Sequence, residues 1–449
     1  MAAKSASAAS NGGQGRATVS TGTAIAICVA DMVGIGVFTS LGFQVLDITA
    51  GFSILLLWLV GGLAALSGAL SYAELGAMFP RSGGEYNFLS RSYHPAFGFM
   101  AGWLSATVGF AAPVALAAMA FGSYAEGVWA DAPKLLLGVA LVWGVTLVHL
   151  LGVEHGSRFQ NISTVLKVAL ILAFIAAGLA LGDPQPVSFS PADADPAQIF
   201  AAPFAIGLVY VMYSYSGWNG ATYIIGEMDD PQRTVPRAIV TATLIVIALY
   251  VGLNAVFLYT TPIGDMAGKI DIALISGTHI FGEAGGRIVA FLICFGLIST
   301  VSAMMWIGPR VTQVMGEDAP VFGFLARKSS RGVPSRAILL QAAVATLLMM
   351  TQSFEDVLEF IQFAITLSSF ATVLGVMVLR WRNPGLPRPY RTPFYPLPPL
   401  VFLGVTGFMM YYLAVERPLH SLAGLGLMAT GLLVFWLFYR KDQDARNTR

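Results

Sequence analysis

Two long apolar stretches of the chain carry glycine and polar residues near their centres. The first stretch contains Gly34-Ile35-Gly36-Val37-Phe38, and the second contains Ser214-Tyr215-Ser216-Gly217-Trp218-Asn219-Gly220. Glycine weakens a helix, and open backbone at membrane depth persists only where it lines a cavity. The two clusters therefore predict interrupted helices around a buried binding site. Close helix packing through small residues would use the same residue types.

An interrupted helix supplies both kinds of group that an amino-acid zwitterion requires. The freed amide N–H groups of Gly34, Ile35 and Gly36 would lie at the positive end of a half-helix, where anions bind. Freed carbonyl groups near the two breaks could accept hydrogen bonds from an ammonium group. The predicted substrate-binding residues all lie at the two breaks: Met32, Val33, Gly34, Ile35, Gly36, Tyr213, Ser214, Ser216, Gly217 and Trp218.

Two ionisable residues lie inside apolar stretches, where a charge is costly and marks a functional site by default. Lys167 follows Asn161 by six residues, and it provides either a fixed cation, a proton to be released during a cycle, or a side chain that reaches the interface. Asp31 lies one turn before Gly34. Its carboxylate would be hydrogen-bonded within the bundle, face a water-filled vestibule, carry a proton, or bind a substrate ammonium group.

Composition identifies the elements that must position these residues. The chain has 449 residues, of which 56% are hydrophobic and 11% charged, whereas soluble domains carry about 25% charged residues. Its apolar runs reach the roughly 20 residues that cross a bilayer. We predict twelve membrane spans, at about 20–43, 52–78, 96–123, 134–152, 161–181, 203–226, 236–260, 286–312, 336–352, 357–380, 398–415 and 420–439.

The distribution of basic residues predicts the orientation of these spans. With the N-terminus inside, 20 of the 25 Lys and Arg residues fall in inside segments and four in outside segments. This bias places both termini in the cytoplasm. We expect a disordered tail at 1–17, one transmembrane transporter domain at 18–440 and a cytoplasmic tail at 441–449.

Several functional classes are disfavoured by the composition. The two cysteines, Cys28 and Cys294, both lie in apolar runs, so we expect neither a disulfide framework nor a metal site. The net charge of +1 gives no reason to expect a nucleic-acid partner. We find no catalytic constellation and no phosphate-binding loop, so we expect no enzyme activity and no cofactor. A channel would require a ring of charges or repeated filter carbonyls, and the asymmetric pair of breaks fits a gated carrier better.

Short motifs recur along the chain from about 20 to 400. They are Gly34-Ile35-Gly36-Val37-Phe38, Tyr72-Ala73-Glu74-Leu75-Gly76, Phe79-Pro80-Arg81-Ser82-Gly83-Gly84-Glu85-Tyr86, Tyr215-Ser216-Gly217-Trp218-Asn219, Gly226-Glu227, Pro231 with Arg233-Thr234-Val235-Pro236, Gly308-Pro309-Arg310 and Arg388-Pro389-Tyr390-Arg391. In these motifs the chain resembles the amino acid–polyamine–organocation (APC) superfamily, and especially its L-type-like bacterial amino acid permeases. The resemblance implies an all-α transmembrane LeuT-like fold, with a five-plus-five inverted repeat of spans 1–5 and 6–10 followed by two C-terminal helices. It also implies alternating access and a substrate site between the broken spans 1 and 6.

The resemblance also implies a role for Lys167 in coupling. In similar permeases a lysine in span 5 occupies the place of sodium in sodium-coupled relatives, contacts the broken part of span 1 and bridges toward span 8. Here that part of span 8 lies near Ser299 and Ser302. We therefore assign Lys167, Asp31, Ser299 and Ser302 to coupling, and expect proton coupling or exchange rather than sodium coupling.

Two residues depart from the family pattern near the first break. Ile35 stands where many members have Ser or Thr, and Asp31 stands where they usually have an apolar residue. Tyr213 falls where L-type carriers place a gating aromatic residue. Phe110, Met304 and Met305 are candidates for a side-chain pocket, with core packing as the alternative.

The sequence predicts a secondary active transporter of amino acids, with small or neutral zwitterions as substrates. The alternative is a cationic amino acid or polyamine carrier of the same fold. Its partners would be the amino acid, the lipid bilayer and, as a candidate, protons. Animal L-type carriers link to a glycoprotein through a cysteine between spans 3 and 4, and this chain has none between Phe121 and Pro133, so we expect no disulfide-linked partner. The short loops favour a bacterial inner membrane.

Overall fold

Apolar helices account for most of the chain. The structure is a computed structural model that describes residues 19–191, 198–319, 322–351 and 353–447. The predicted disordered tail at 1–17 lies outside the described residues. Within them, nine helical segments are long and apolar enough to cross a membrane, and three shorter apolar helices bring the set to twelve.

These twelve segments, here called spans 1 to 12, match the predicted spans in order and number. They are Thr21–Gln44, Gly51–Met78, Pro95–Val128, Lys134–Leu150, Val153–Leu181, Ala202–Tyr215, Pro231–Thr260, Ile272–Asp318, Ser335–Met349, Phe354–Arg382, Leu397–Glu416 and Pro418–Asn447. The prediction of an all-α transmembrane protein with about twelve helices is confirmed.

The two spans that differ most from their predicted limits do so for identifiable reasons. The α-helix of span 6 ends at Tyr215 and not near 226, because Gly217 adopts a φ of 101° and the chain continues as short 3₁₀ turns. Span 8 begins at Ile272 rather than 286, since a short helix joins it through a kink at Gly282, where φ is 73°.

Span 3 contains a local irregularity that widens one turn. Its residues Ser105–Gly109 are π-helical, between the α-helical pieces Pro95–Leu104 and Ala111–Val128. Pro113 lies four residues after Gly109 and has no N–H group, so it cannot donate the normal helical hydrogen bond to the Gly109 carbonyl. Single π turns inside α-helices often occur at functional sites.

A buried ion cluster ties the C-terminal end of span 2 to span 10 and the loop that follows it. Glu74 is 1% exposed and accepts hydrogen bonds from the Arg380 guanidinium at 2.6 and 2.9 Å. It also accepts from the Thr392 amide at 2.8 Å and pairs with Arg388 at 3.3 Å. Two of the motifs noted in the sequence, around Glu74 and around Arg388, therefore meet here as one structural tie.

We expect Glu74→Gln to lower the apparent unfolding temperature in detergent by roughly 5 °C or more, because breaking a buried ion pair costs about 3–5 kcal/mol. The matched control is Asp230→Asn, whose partner Arg233 is 77% exposed at 3.7 Å and which should leave stability unchanged. Size-exclusion chromatography of samples heated to a series of temperatures measures the apparent unfolding temperature of both variants. Equal stability of the two variants would contradict the structural role of Glu74.

Candidate functional site

Span 1 is broken at the predicted place. Its helical halves, Thr21–Met32 and Gly36–Gln44, are separated by three residues that belong to neither helix. The Gly34 amide donates to the Met32 carbonyl at 2.6 Å. The amides of Ile35 and Gly36 donate no hydrogen bond to any part of the described chain. Two unpaired donors thus lie at the N-terminal end of a half-helix, which is where an anion is stabilised.

Span 6 is broken at the matching position, and Gly217 explains how. The Ser216 amide turns back to the Tyr213 carbonyl at 3.0 Å, and Gly217 then takes a positive φ. A Cβ atom at Gly217 would lie 2.6 Å from Oδ2 of Asp31. Only glycine therefore satisfies both the backbone conformation and the close approach to span 1.

The two breaks also contact each other through Gly36 and Ser214. A Cβ atom at Gly36 would lie 2.5 Å from Ser214 Oγ and 2.7 Å from Ser214 Cα. The Ser214 hydroxyl donates to the Tyr210 carbonyl at 2.8 Å and lies 3.0 Å from Ser40 Oγ, so it is already paired. The two predicted clusters thus form one structure.

The carbonyl groups predicted to receive a substrate ammonium already accept hydrogen bonds from the protein. The Tyr250 hydroxyl of span 7 donates a shared hydrogen bond to the carbonyl oxygens of Met32 and Ser214, at 2.5 and 3.0 Å. The Tyr213 carbonyl accepts from Ser216, through both its amide and its hydroxyl. The Val33 carbonyl accepts from Lys167 and Thr300. A carbonyl oxygen has two lone pairs and so accepts about two hydrogen bonds. Because protein donors already use this capacity in part or in full, they compete with an ammonium group at all four positions.

Lys167 lies at the break of span 1. Its ammonium group donates to the Val33 carbonyl at 2.7 Å, to the Ala30 carbonyl at 3.4 Å and to Thr300 Oγ1 at 2.8 Å. Lys167 is buried, so this side chain does not reach the interface. The ammonium group joins spans 1, 5 and 8 at one point.

The predicted partners of Lys167 on span 8 need correction. The contact is made by Thr300, whereas Ser299 accepts from Gln160 at 3.1 Å and Ser302 lies 3.0 Å from His149 Nε2. Neither serine contacts Lys167, because each points to a different side of span 8 from Thr300. Their assignment to coupling stays a prediction without support from a contact to Lys167.

Asp31 combines burial with the absence of a hydrogen-bonding partner. It is 5% exposed, and its carboxylate makes no hydrogen bond or ion pair with any described residue. Its interaction with Lys167 is electrostatic attraction only. Buried carboxylates are normally paired, so Asp31 is available to a ligand or a proton.

Two cavities adjoin the breaks. The smaller has a volume of about 10 Å³ and is lined by residues of both breaks, including Ile35, Gly36 and Tyr213. The larger has a volume of about 90 Å³ and extends toward spans 3, 10 and 11. One water molecule needs about 10–15 Å³, so the smaller cavity suits a single small group and the larger suits several atoms.

Of the ten predicted substrate-binding residues, nine line one of these cavities. Met32, Gly34 and Ser214 line the smaller with the three just named, Gly217 and Trp218 line the larger, and Ser216 lines both. Val33 lines neither, because its carbonyl turns toward Lys167.

The aromatic and side-chain-pocket candidates are also distributed between the cavities. Trp218 packs edge-on against Tyr72, with ring centroids 4.7 Å apart, and lines the larger cavity. Phe110 lines the larger cavity as well, and Met304 lines both. Tyr213 lines the smaller cavity, and its gating role stays a prediction.

Glu85 is a residue of this site to which the sequence gave no role. Its carboxylate accepts from the hydroxyls of Tyr72 and Tyr223 and from the Asn219 side-chain amide at 2.7 Å. It belongs to the short helix Glu85–Ser92 between spans 2 and 3. Burial raises its pKa, and the hydrogen bonds from Tyr223, Tyr72 and Asn219 oppose that shift. Its only sequence signal was the motif that contains it.

Comparison with known proteins finds a matching family profile and several related transporters. A family profile described as amino acid permease matches residues 19–438. The serine/threonine exchanger SteT of Bacillus subtilis is 26% identical, covering 86% of this chain and 89% of that protein. The human b(0,+)-type amino acid transporter 1 is 26% identical over 92% of this chain and 86% of that protein. The human cystine/glutamate transporter is also 26% identical, over 94% and 85%.

Proposed function

Because the chain belongs to the amino acid permease family, and is therefore a multi-pass membrane transporter of amino acids, we propose that it carries small or neutral zwitterions by alternating access. Transport would be driven by exchange or by a proton gradient, and not by sodium. The family fixes the broader class of function, and the finer assignments rest on the geometry of the breaks.

One observation carries the substrate proposal. Ile35 and Gly36, whose amides are unpaired, line a cavity that suits one small group, and Asp31, whose carboxylate is unpaired, lines the same cavity. The amides provide donors for a substrate carboxylate. Asp31 provides an acceptor for the substrate ammonium group, which finds the nearby carbonyls already engaged. The side chain would then extend into the larger cavity, which Asp31 also lines.

The proposal of sodium-independent transport rests on Lys167. Its ammonium group is bound by two carbonyl oxygens and a hydroxyl oxygen, the kinds of ligand that a metal cation would use. A cation is thus already present between spans 1 and 8. Exchange is supported by SteT, which is itself described as an exchanger.

Alternating access requires contacts that can open on one side. Glu227, in the 3₁₀ turn Ile225–Glu227 that follows span 6, pairs with Arg310 of span 8 at 2.9 Å. Arg81, after span 2, donates to both Asp318 oxygens at 2.8 and 3.0 Å. We place these pairs on the cytoplasmic side, where they close the inner end of the site. They would break when the site opens inward.

The orientation and location are part of the same proposal. We propose a bacterial inner membrane with both termini in the cytoplasm, one transporter domain at 18–440 and a C-terminal tail at 441–449. The helix of span 12 runs to Asn447, into that tail. Cys28 and Cys294 are both buried, which supports transport without a disulfide-linked partner.

A second candidate function is a carrier of cationic amino acids or polyamines. The observation that favours it is again Asp31, because an unpaired buried carboxylate beside the substrate site provides a counter-charge for a second ammonium group. Asp31 would then bind the side chain of the substrate rather than its α-ammonium group.

We expect purified protein in proteoliposomes to take up labelled neutral amino acids at the same initial rate in sodium and in choline buffer. The panel includes serine, threonine, alanine, leucine, arginine and putrescine, each with and without an inward pH gradient and with and without internal amino acid. Stimulation by internal substrate indicates exchange, and stimulation by the gradient indicates proton symport.

Two outcomes would contradict the proposal. Uptake that requires sodium would refute the role given to Lys167. Uptake of arginine or putrescine alone would replace the neutral zwitterion by the second candidate.

A further inference from the structure

We propose that the larger cavity selects substrates whose side chain ends in a hydrogen-bond donor, and that Gln362 of span 10 is the acceptor that selects them. The inference rests on the proposed function, because it assigns the side-chain end of the same substrate. It concerns residues on a span that contributes nothing to the two breaks.

Gln362 has an oxygen atom without a partner. The residue is 3% exposed and lines the larger cavity. Its amide nitrogen donates to Thr366 Oγ1 at 3.2 Å on the same helix, whereas its Oε1 atom is buried with no hydrogen-bond partner in the described chain. A buried unpaired acceptor is costly, so a ligand that donates a hydrogen bond to Gln362 would remove that cost on binding.

The amide and carboxylate side chains on the cavity wall differ in whether their hydrogen-bonding atoms have partners within the protein. Asn219 donates to Glu85 and to the Tyr223 hydroxyl, and Glu85 receives three hydrogen bonds in all, so these two are paired with neighbours. Asp31 and Gln362 remain, and each lines the larger cavity and has a side-chain oxygen without a hydrogen-bond partner in the described chain. A complementary ligand must therefore bring donors to both positions.

The two acceptors can be matched by one amino acid. Asp31 lines both cavities and is next to the break, where the α-ammonium group would lie, whereas Gln362 lines only the larger cavity. A hydroxyl, carboxamide or ammonium group at the end of the side chain would donate to Gln362. An apolar side chain of the same shape would leave that oxygen unpaired, and sites built around such an acceptor reject the analogue that lacks the donor.

Competition in proteoliposomes tests the inference. Unlabelled threonine is compared with valine, and glutamine with methionine, as inhibitors of uptake of one labelled substrate. In the native protein the donor-bearing member of each pair should inhibit about tenfold better, the effect of one hydrogen bond. The selectivity ratio is the inhibitory strength of the donor-bearing amino acid divided by that of its apolar analogue. In Gln362→Met, which keeps side-chain length, this ratio should fall toward one. In Gln362→Glu, which keeps an acceptor, the preference should persist.

The matched control is Gln341→Met. Gln341 is a similarly buried glutamine, at 6% exposure, that donates to the Met304 carbonyl and does not line the larger cavity. Its selectivity ratio should equal that of the native protein, and a ratio does not depend on how much protein is active. Equal inhibition within each pair by the native protein, or an unchanged ratio in Gln362→Met, overturns this inference while amino acid transport stands. Absence of any amino acid uptake overturns the proposed function and this inference together.

Discussion

Replacing Lys167 by methionine is expected to reduce the initial rate of amino acid uptake at least about a hundredfold. The ammonium group donates to Val33, Ala30 and Thr300 at the unwound part of span 1. A hydrogen bond involving a charged group contributes about 1.5–3 kcal/mol, so losing two or more exceeds a hundredfold in equilibrium. The methionine side chain fills the space but removes the ammonium donor from all three oxygens, and the Val33 carbonyl keeps only its hydrogen bond from Thr300. Span 1 would then lose the conformation that presents the Ile35 and Gly36 amides.

Graded variants separate this loss from general damage. Thr300→Val removes one of the three oxygen partners and should cost roughly tenfold. Thr243→Val removes a buried hydroxyl that, among the described residues, donates only to the Ile239 carbonyl of its own helix in span 7. This variant should transport normally. Uptake into proteoliposomes is measured for each, normalised to the monodisperse protein recovered. Native rates in Lys167→Met would contradict the role of the ammonium group.

The fold was largely predictable because the bilayer restricts what a chain can do. A span must be apolar, about 20 residues long and internally hydrogen-bonded. These requirements appear directly in composition, so the twelve predicted spans agree with those observed. The breaks were predictable for the same reason, since Gly34 and Gly217 interrupt runs that would otherwise be uniform helix. The predicted end of span 6 was wrong because the residues after Gly217 remain apolar although they are no longer α-helical.

The partners of the site were less predictable, because they depend on rotation about each helix. Successive residues of an α-helix point about 100° apart, so Ser299, Thr300 and Ser302 face different neighbours. The sequence offers all three hydroxyls, and only the packing of span 8 against spans 1 and 5 selects Thr300. Tyr250 and Gln362 were missed for a related reason, since each lies on an unbroken helix and acts only where tertiary packing brings it to the site.

Gly36→Ala is expected to lower uptake by roughly one to two orders of magnitude, because overpacking a dense contact costs about 1–3 kcal/mol. The new methyl group would lie 2.7 Å from the Ser214 Cα atom, which cannot rotate away as a side chain can. The two breaks must then move apart, and Gly36 carries one of the two unpaired amides. The change should weaken substrate affinity as well as rate. Binding of the best substrate to purified protein and uptake into proteoliposomes measure the two effects.

Two further glycines show whether the contact between the breaks is the cause. The closest atom to the added methyl group of Gly34→Ala is the Thr300 methyl carbon at 3.2 Å, and the Met32 carbonyl oxygen lies at 3.8 Å. A side chain can give way, so the loss should be smaller than that of Gly36→Ala. Gly404 of span 11 has no atom within 4 Å of an added Cβ, and Gly404→Ala should leave uptake unchanged. If all three variants transported equally, the approach of Ser214 to Gly36 would be incidental. If the losses follow the order of backbone crowding, the half-helices of spans 1 and 6 act as one unit in which substrate affinity depends on how closely the two breaks can meet.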